Sequence, residues 1–86
     1  MDISYKVNWR PLEDFSSKYP NEINCGDFMY IGSVTIGITE ILINLYKHIN
    51  TRRYINICDD GRLWRYSEGE YIPTGNVRGE IERVNN

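Results

Sequence analysis

Two cysteines, one histidine and a stretch rich in arginine and aromatic side chains are the residues of this 86-residue chain whose types could do chemistry. A cysteine nucleophile needs a neighbouring base or a positive environment to supply thiolate, so Cys25 with His48 is the sharpest catalytic arrangement on offer. Nothing in their spacing brings the two together. A lone cysteine and a lone histidine carry little specificity, so no catalytic residue is assigned and the chain is read as non-enzymatic. Metal binding is not expected: one imidazole, cysteines with no partner at two- to four-residue spacing, and the adjacent pair Asp59–Asp60, which suits a turn better than a calcium loop. The glycines are dispersed and none precedes lysine followed by serine or threonine, so no phosphate-cradling loop and no cofactor is expected.

Arginine interleaves with aromatics at Arg52, Arg53, Tyr54, Arg62, Trp64, Arg65 and Tyr66. Tyrosine, tryptophan and arginine are the favoured anchors of protein-binding hot spots, because each joins a large contact area to hydrogen bonding. The same residue types could also make a single-stranded nucleic-acid module, with rings stacking on bases and guanidinium groups following phosphates. The formal net charge of −2 favours the protein partner over the nucleic acid.

The elements that must position these residues begin with a hairpin. Tyr54–Cys58 and Arg62–Tyr66 are strand-like runs around Asp59-Asp60-Gly61, and an Asp-Gly step between such runs signals a tight turn. A two-residue loop sets Ile57 opposite Trp64 and Ile55 opposite Tyr66, gathering four apolar side chains on one face. A three-residue loop closed by a glycine bulge splits that set, so the hydrophobic pattern favours the shorter loop. The outward face then presents Tyr54, Asn56, Leu63 and Arg65, with Tyr71 alongside on the next extended piece. These five residues are the expected partner-binding set.

Around the hairpin, the spacing of Ile38, Ile41, Leu42, Leu45, Tyr46 and Ile49 predicts a core-facing amphipathic helix between Thr35 and Asn50. Ile3, Tyr5, Val7 and Trp9 alternate with polar residues as in a half-buried strand. Pro11 opens a short helix that ends before Pro20. Phe28, Tyr30, Val34 and Ile36 are expected on one face of a central strand in which Gly32 marks a bulge or a close approach of another backbone. Tyr71–Ile72 forms a short strand, and Val77, Gly79 and Ile81 the inward face of an edge strand. The fold class is therefore α+β: one small domain over residues 1–86, four or five mostly antiparallel strands, one main helix on one face and a short N-terminal helix.

Composition bounds the rest. Hydrophobic content of 41% and charged content of 26% are those of an ordinary globular chain. No basic-then-apolar leader and no apolar run of about 18 residues occurs, so neither an export signal nor a membrane span is expected, and the cytoplasm is the expected location. Without export signals, Cys25 and Cys58 are expected as thiols. The absence of alanine and glutamine beside twelve isoleucines and nine asparagines suggests AT-rich coding sequence, of the kind carried by viruses and mobile elements. A small regulator or inhibitor acting on a partner protein, or pairing with its own copy through a sheet edge, is the expected role.

Overall fold

Pro11 stands in the first turn of the first helix, α1 (Arg10–Lys18), where its missing N–H leaves no bond unmade. The helix buries Pro11, Leu12 and Phe15, and ends at Tyr19 ahead of Pro20, as its spacing predicts. The computed structural model describes residues 7–37 and 40–86. After α1 come a short 3-10 turn (Cys25–Asp27), the strands β1 (Phe28–Ile36), β2 (Ile41–His48), β3 (Tyr54–Cys58), β4 (Leu63–Ser67) and β5 (Glu70–Thr74), and a second helix, α2 (Val77–Asn85). The strands form one antiparallel meander in the order β1-β2-β3-β4-β5. The fold is α+β, with a five-stranded sheet and a helix near each end of the chain.

The expected central helix is not there: Ile41–His48 is β2, the strand between β1 and β3. The run Ile41, Leu42, Ile43, Leu45, Tyr46 meets a helical template, but it fits a strand apolar on both faces equally well. Being flanked by two strands decides between them. Ile43 and Leu45 turn to one side, while Tyr46 and the fully buried Asn44 turn to the other. Gly37, expected at a helix entrance, instead takes φ 62° in the β1–β2 turn.

The second helix lies where an edge strand was expected. Asn76 caps it, its side chain accepting from the Gly79 N–H at 3.0 Å, and Ile81 and Val84 face inward at three-residue spacing. Ties to the β2–β3 turn and to the loop after α1 hold it down: Thr51 Oγ1 donates to the Val84 carbonyl, Asn85 Nδ2 to the Glu22 carbonyl, and Arg78 pairs with Glu22.

The strand expected at Ile3–Trp9 falls largely on residues 1–6, outside the described residues, and Val7–Trp9 have no regular structure. β1 forms as expected, but at the sheet's edge rather than its centre. The register slips between Tyr30 and Gly32, so the bulge anticipated at Gly32 is present, and it turns the strand over. Phe28 and Tyr30 therefore join the helix-side core, whereas Val34 and Ile36 point the opposite way.

Both helices cover the same face. Leu12, Phe15, Ile81 and Val84 pack there with Tyr46, Ile55, Ile57 and Leu63. On the other face Ile43, Cys58 and Trp64 form a smaller cluster, bordered by Val34, Ile36, Ile41, Leu45 and Tyr71, and no described helix crosses it.

Candidate functional site: a cleft where the sheet splits

The hairpin takes the register that the hydrophobic pattern disfavoured. Ile57 pairs with Leu63 and Asn56 with Trp64, and Cys58 N–H donates to the Arg62 carbonyl, leaving Asp59, Asp60 and Gly61 as a three-residue loop. Local chemistry explains the choice. Gly61 takes φ 92°, as the glycine of such a loop must, while Asp60 accepts from the Arg62 backbone N–H, from the Arg62 guanidinium and from Cys58 Sγ. The expected apolar set is consequently divided. Ile55 and Ile57 stay in the helix-side core, Trp64 moves to the opposite cluster, and Tyr66 is 58% exposed. Leu63, expected on the outward face, is buried beneath the helices.

Beyond Asn56 and Trp64 the ladder between β3 and β4 stops. Tyr54 and Ile55 continue to pair with β2, and Arg65, Tyr66 and Ser67 with β5, so the two strands part company. A cleft of about 530 Å³ lies at this split. Tyr54, Asn56, Arg65 and Tyr71, four of the sequence-predicted residues, line it together, and Leu63 does not. Leu45, Arg53, Tyr66 and Arg83 complete the wall. Arg53 belongs to the arginine-aromatic series in the sequence, but Tyr66 was assigned to the core and Arg83 had no signal while its segment read as a strand. As a helix, Val77–Asn85 sets Arg83 beside Glu80 at the flank of the inward face, close enough for its Nη2 to donate to the Tyr54 carbonyl at 2.6 Å and to Glu80 at 2.9 Å.

The cleft is cationic and tyrosine-rich in a chain of net charge −2. No carboxylate lines it, and Arg53 and Arg65 enter no ion pair among the described residues. Lys47 lies 5.7 Å from the centre of the Tyr54 ring, adding a third such cation nearby. The Tyr66 and Tyr71 rings pack 4.9 Å apart. Burial, with Tyr66 and Tyr54 next to it, pushes the Tyr71 phenol up, so it stays a neutral hydrogen-bonding group. Asn56 is only 3% exposed; its Nδ2 donates to the Trp64 carbonyl, but among the described residues its Oδ1 finds no partner, and neither does the buried Nε of Arg83. Buried polar atoms rarely lack partners, so two in the walls of one cleft set it apart.

No hydrogen bond joins Cys25 to His48 among the described residues. His48 is buried with its Nδ1 facing the Asn50 and Thr51 N–H groups and its ring edge-on to Phe28, which makes it a turn-closing residue. Cys25 shares its hollow with Trp9, Glu13, Gly26 and Phe28, and burial pushes its thiol up, away from a ready nucleophile. Both cysteines are free. Among the described residues no group of three or more histidine, cysteine, aspartate or glutamate side chains is placed to hold a metal ion, and no helix is long and apolar enough to cross a membrane.

Comparison with protein-family models, with curated proteins and with solved structures finds no match for this chain.

Proposed function

We propose that this protein is a non-enzymatic interaction module, a small cytoplasmic regulator or inhibitor that binds a partner protein through the cleft between β3 and β4. The observation that carries the reading is the gathering of Tyr54, Tyr66, Tyr71, Arg53 and Arg65 around one concave feature beside an open sheet face. Tyrosine and arginine in such a setting combine contact area, hydrogen bonding and charge in the way binding hot spots do. The isoleucine- and asparagine-rich composition fits a virus or mobile element as the source, with a host protein as the target.

Single-stranded nucleic acid is the second reading, favoured by the exposed Tyr66 ring beside Arg53 and Arg65, which enter no ion pair among the described residues. Capture of host proteins by the parent chain and by Tyr54→Ala, Arg65→Ala and the double variant tests both. A partner lost by the double variant while its melting temperature holds supports the cleft. Undiminished capture by a folded double variant rules it out. A complex that dissociates steeply with salt and is destroyed by nuclease moves the reading to nucleic acid.

A further inference from the structure

The split that forms the cleft is also a sheet edge inside the sheet. Arg65, Tyr66 and Ser67 pair with β5 on one side, and on the other no described strand continues the ladder, because β3 has turned away. On β3 the equivalent position is already answered: the Arg83 guanidinium holds the Tyr54 carbonyl. On β4 it is the N–H and C=O of Tyr66 that face the gap, because Arg65 and Ser67 turn theirs to β5; no side chain bonds them among the described residues, and an open backbone donor and acceptor can seat an added strand. The charge around it is one-sided. Arg53, Arg65 and Lys47 stand without carboxylate partners among the described residues, and the side-chain oxygen of Asn56 in the cleft wall lacks a donor.

We infer that the cleft takes an extended acidic segment of the partner protein, which adds a short strand to the free edge of β4 and sets its carboxylates against Arg53, Arg65 and Lys47. This rests on the partner-protein reading and goes beyond it, by naming the segment's conformation and charge. Peptide rather than nucleic acid is favoured because the open edge offers the backbone N–H and C=O of Tyr66, a pair that another extended backbone matches. The cations also lie around a single cleft rather than along a stripe that could follow several phosphates. Glu68 in the following turn and Glu70 at the start of β5 set a negative border on that side, which limits how far a polyanion could run.

The test begins with a random peptide library displayed on phage and panned on the full chain, followed by affinity measurements on the enriched synthetic peptides. A mixed-sequence single-stranded oligonucleotide is titrated in parallel. Enriched peptides should be rich in aspartate and glutamate, and Arg53→Glu with Arg65→Glu, both at exposed positions, should weaken them by about tenfold or more, the scale of losing charged contacts. Exchange of the Tyr66 backbone amide, the one that faces the gap, should slow on binding by about tenfold or more if the edge acquires a strand partner. Replacing alternate peptide residues by N-methylated ones should abolish binding in one phase and spare it in the other.

Cleft-dependent peptides with no acidic bias, or acidic ones that leave exchange of the Tyr66 amide unchanged, overturn this inference and leave the partner-protein reading standing. Peptides that bind the Tyr54→Ala, Arg65→Ala double variant as well as the parent, or a library that yields none, overturn both. Oligonucleotide binding tighter than any peptide, and steeply salt-dependent, also overturns both in favour of nucleic acid.

Discussion

Asp60 shows how much one side chain can decide. Its carboxylate accepts from Cys58 Sγ at 2.6 Å, from the Arg62 N–H at 3.0 Å and from the Arg62 guanidinium at 2.8 Å, and these bonds, the thiol's first, hold it below the usual carboxylate range. A carboxyl group acidified on folding stabilises the fold above its unfolded pKa of about 3.9, and that contribution fades as pH falls through the lower folded value. Asp60→Asn should therefore lower the urea midpoint at neutral pH, with the gap from the parent narrowing below about pH 4. The group is exposed, so the gap should be small. A gap that widens in acid would contradict this account. Cys25 gives a second prediction at this scale. Its thiol is pushed up by burial, so alkylation near neutral pH should be slower than for a model thiol and unchanged by His48→Ala. Fast labelling that depends on His48 would restore a catalytic reading.

At the scale of elements, the two hairpins around β4 solve the same problem differently. Glu68 and Gly69, with φ of 50° and 83°, make the two-residue turn between β4 and β5, where Ser67 pairs with Glu70. Asp59, Asp60 and Gly61 make the three-residue turn before β4. That extra residue turns Leu63 toward the helices and Tyr66 away from them. Leu63→Ala should cost about 2–5 kcal/mol, whereas Tyr66→Ala should stay within about 0.5 kcal/mol in urea denaturation. The reverse order would mean that the shorter loop is the true one. The same contrast applies along β2. Ile43 is fully buried and Leu42 only partly, so Ile43→Ala should be the costlier change. In a helix centred on Leu42 and Leu45 those two would have dominated.

For the whole molecule, β2 and β3 contribute to both apolar clusters, with Tyr46, Ile55 and Ile57 on the helix side and Ile43 and Cys58 on the other. Losing either cluster takes the same strands with it. Unfolding should be one cooperative transition, with near- and far-ultraviolet circular dichroism melting together. A chelator should leave the melting temperature unchanged, since no metal-holding group is assembled among the described residues. A chelator-sensitive midpoint, or two separated transitions, would require a different account of what holds the two faces together.

The sequence by itself determined the α+β class, α1 with its proline start, the strand status of β1 with Gly32 at its irregularity, and the place, though not the length, of the turn before β4. These features rest on local chemistry: proline's fixed φ, glycine's access to positive φ, and the two-residue alternation along a strand. Only the tertiary structure decided what Ile41–His48 and Val77–Asn85 become. Ile41–Tyr46 is apolar enough to suit a helix or a two-faced strand, and strand neighbours on both sides make it a strand. Val77–Asn85 alternates well enough for a strand, but the Asn76 cap and the packing of Ile81 and Val84 against the sheet make it a helix. Tertiary structure also placed Leu63 inside, Tyr66 outside and Arg83 at the cleft. A one-residue change in loop length reverses every side chain that follows it, and its energy is set by turn hydrogen bonds and by which face the helices cover, not by hydrophobic pattern along one strand.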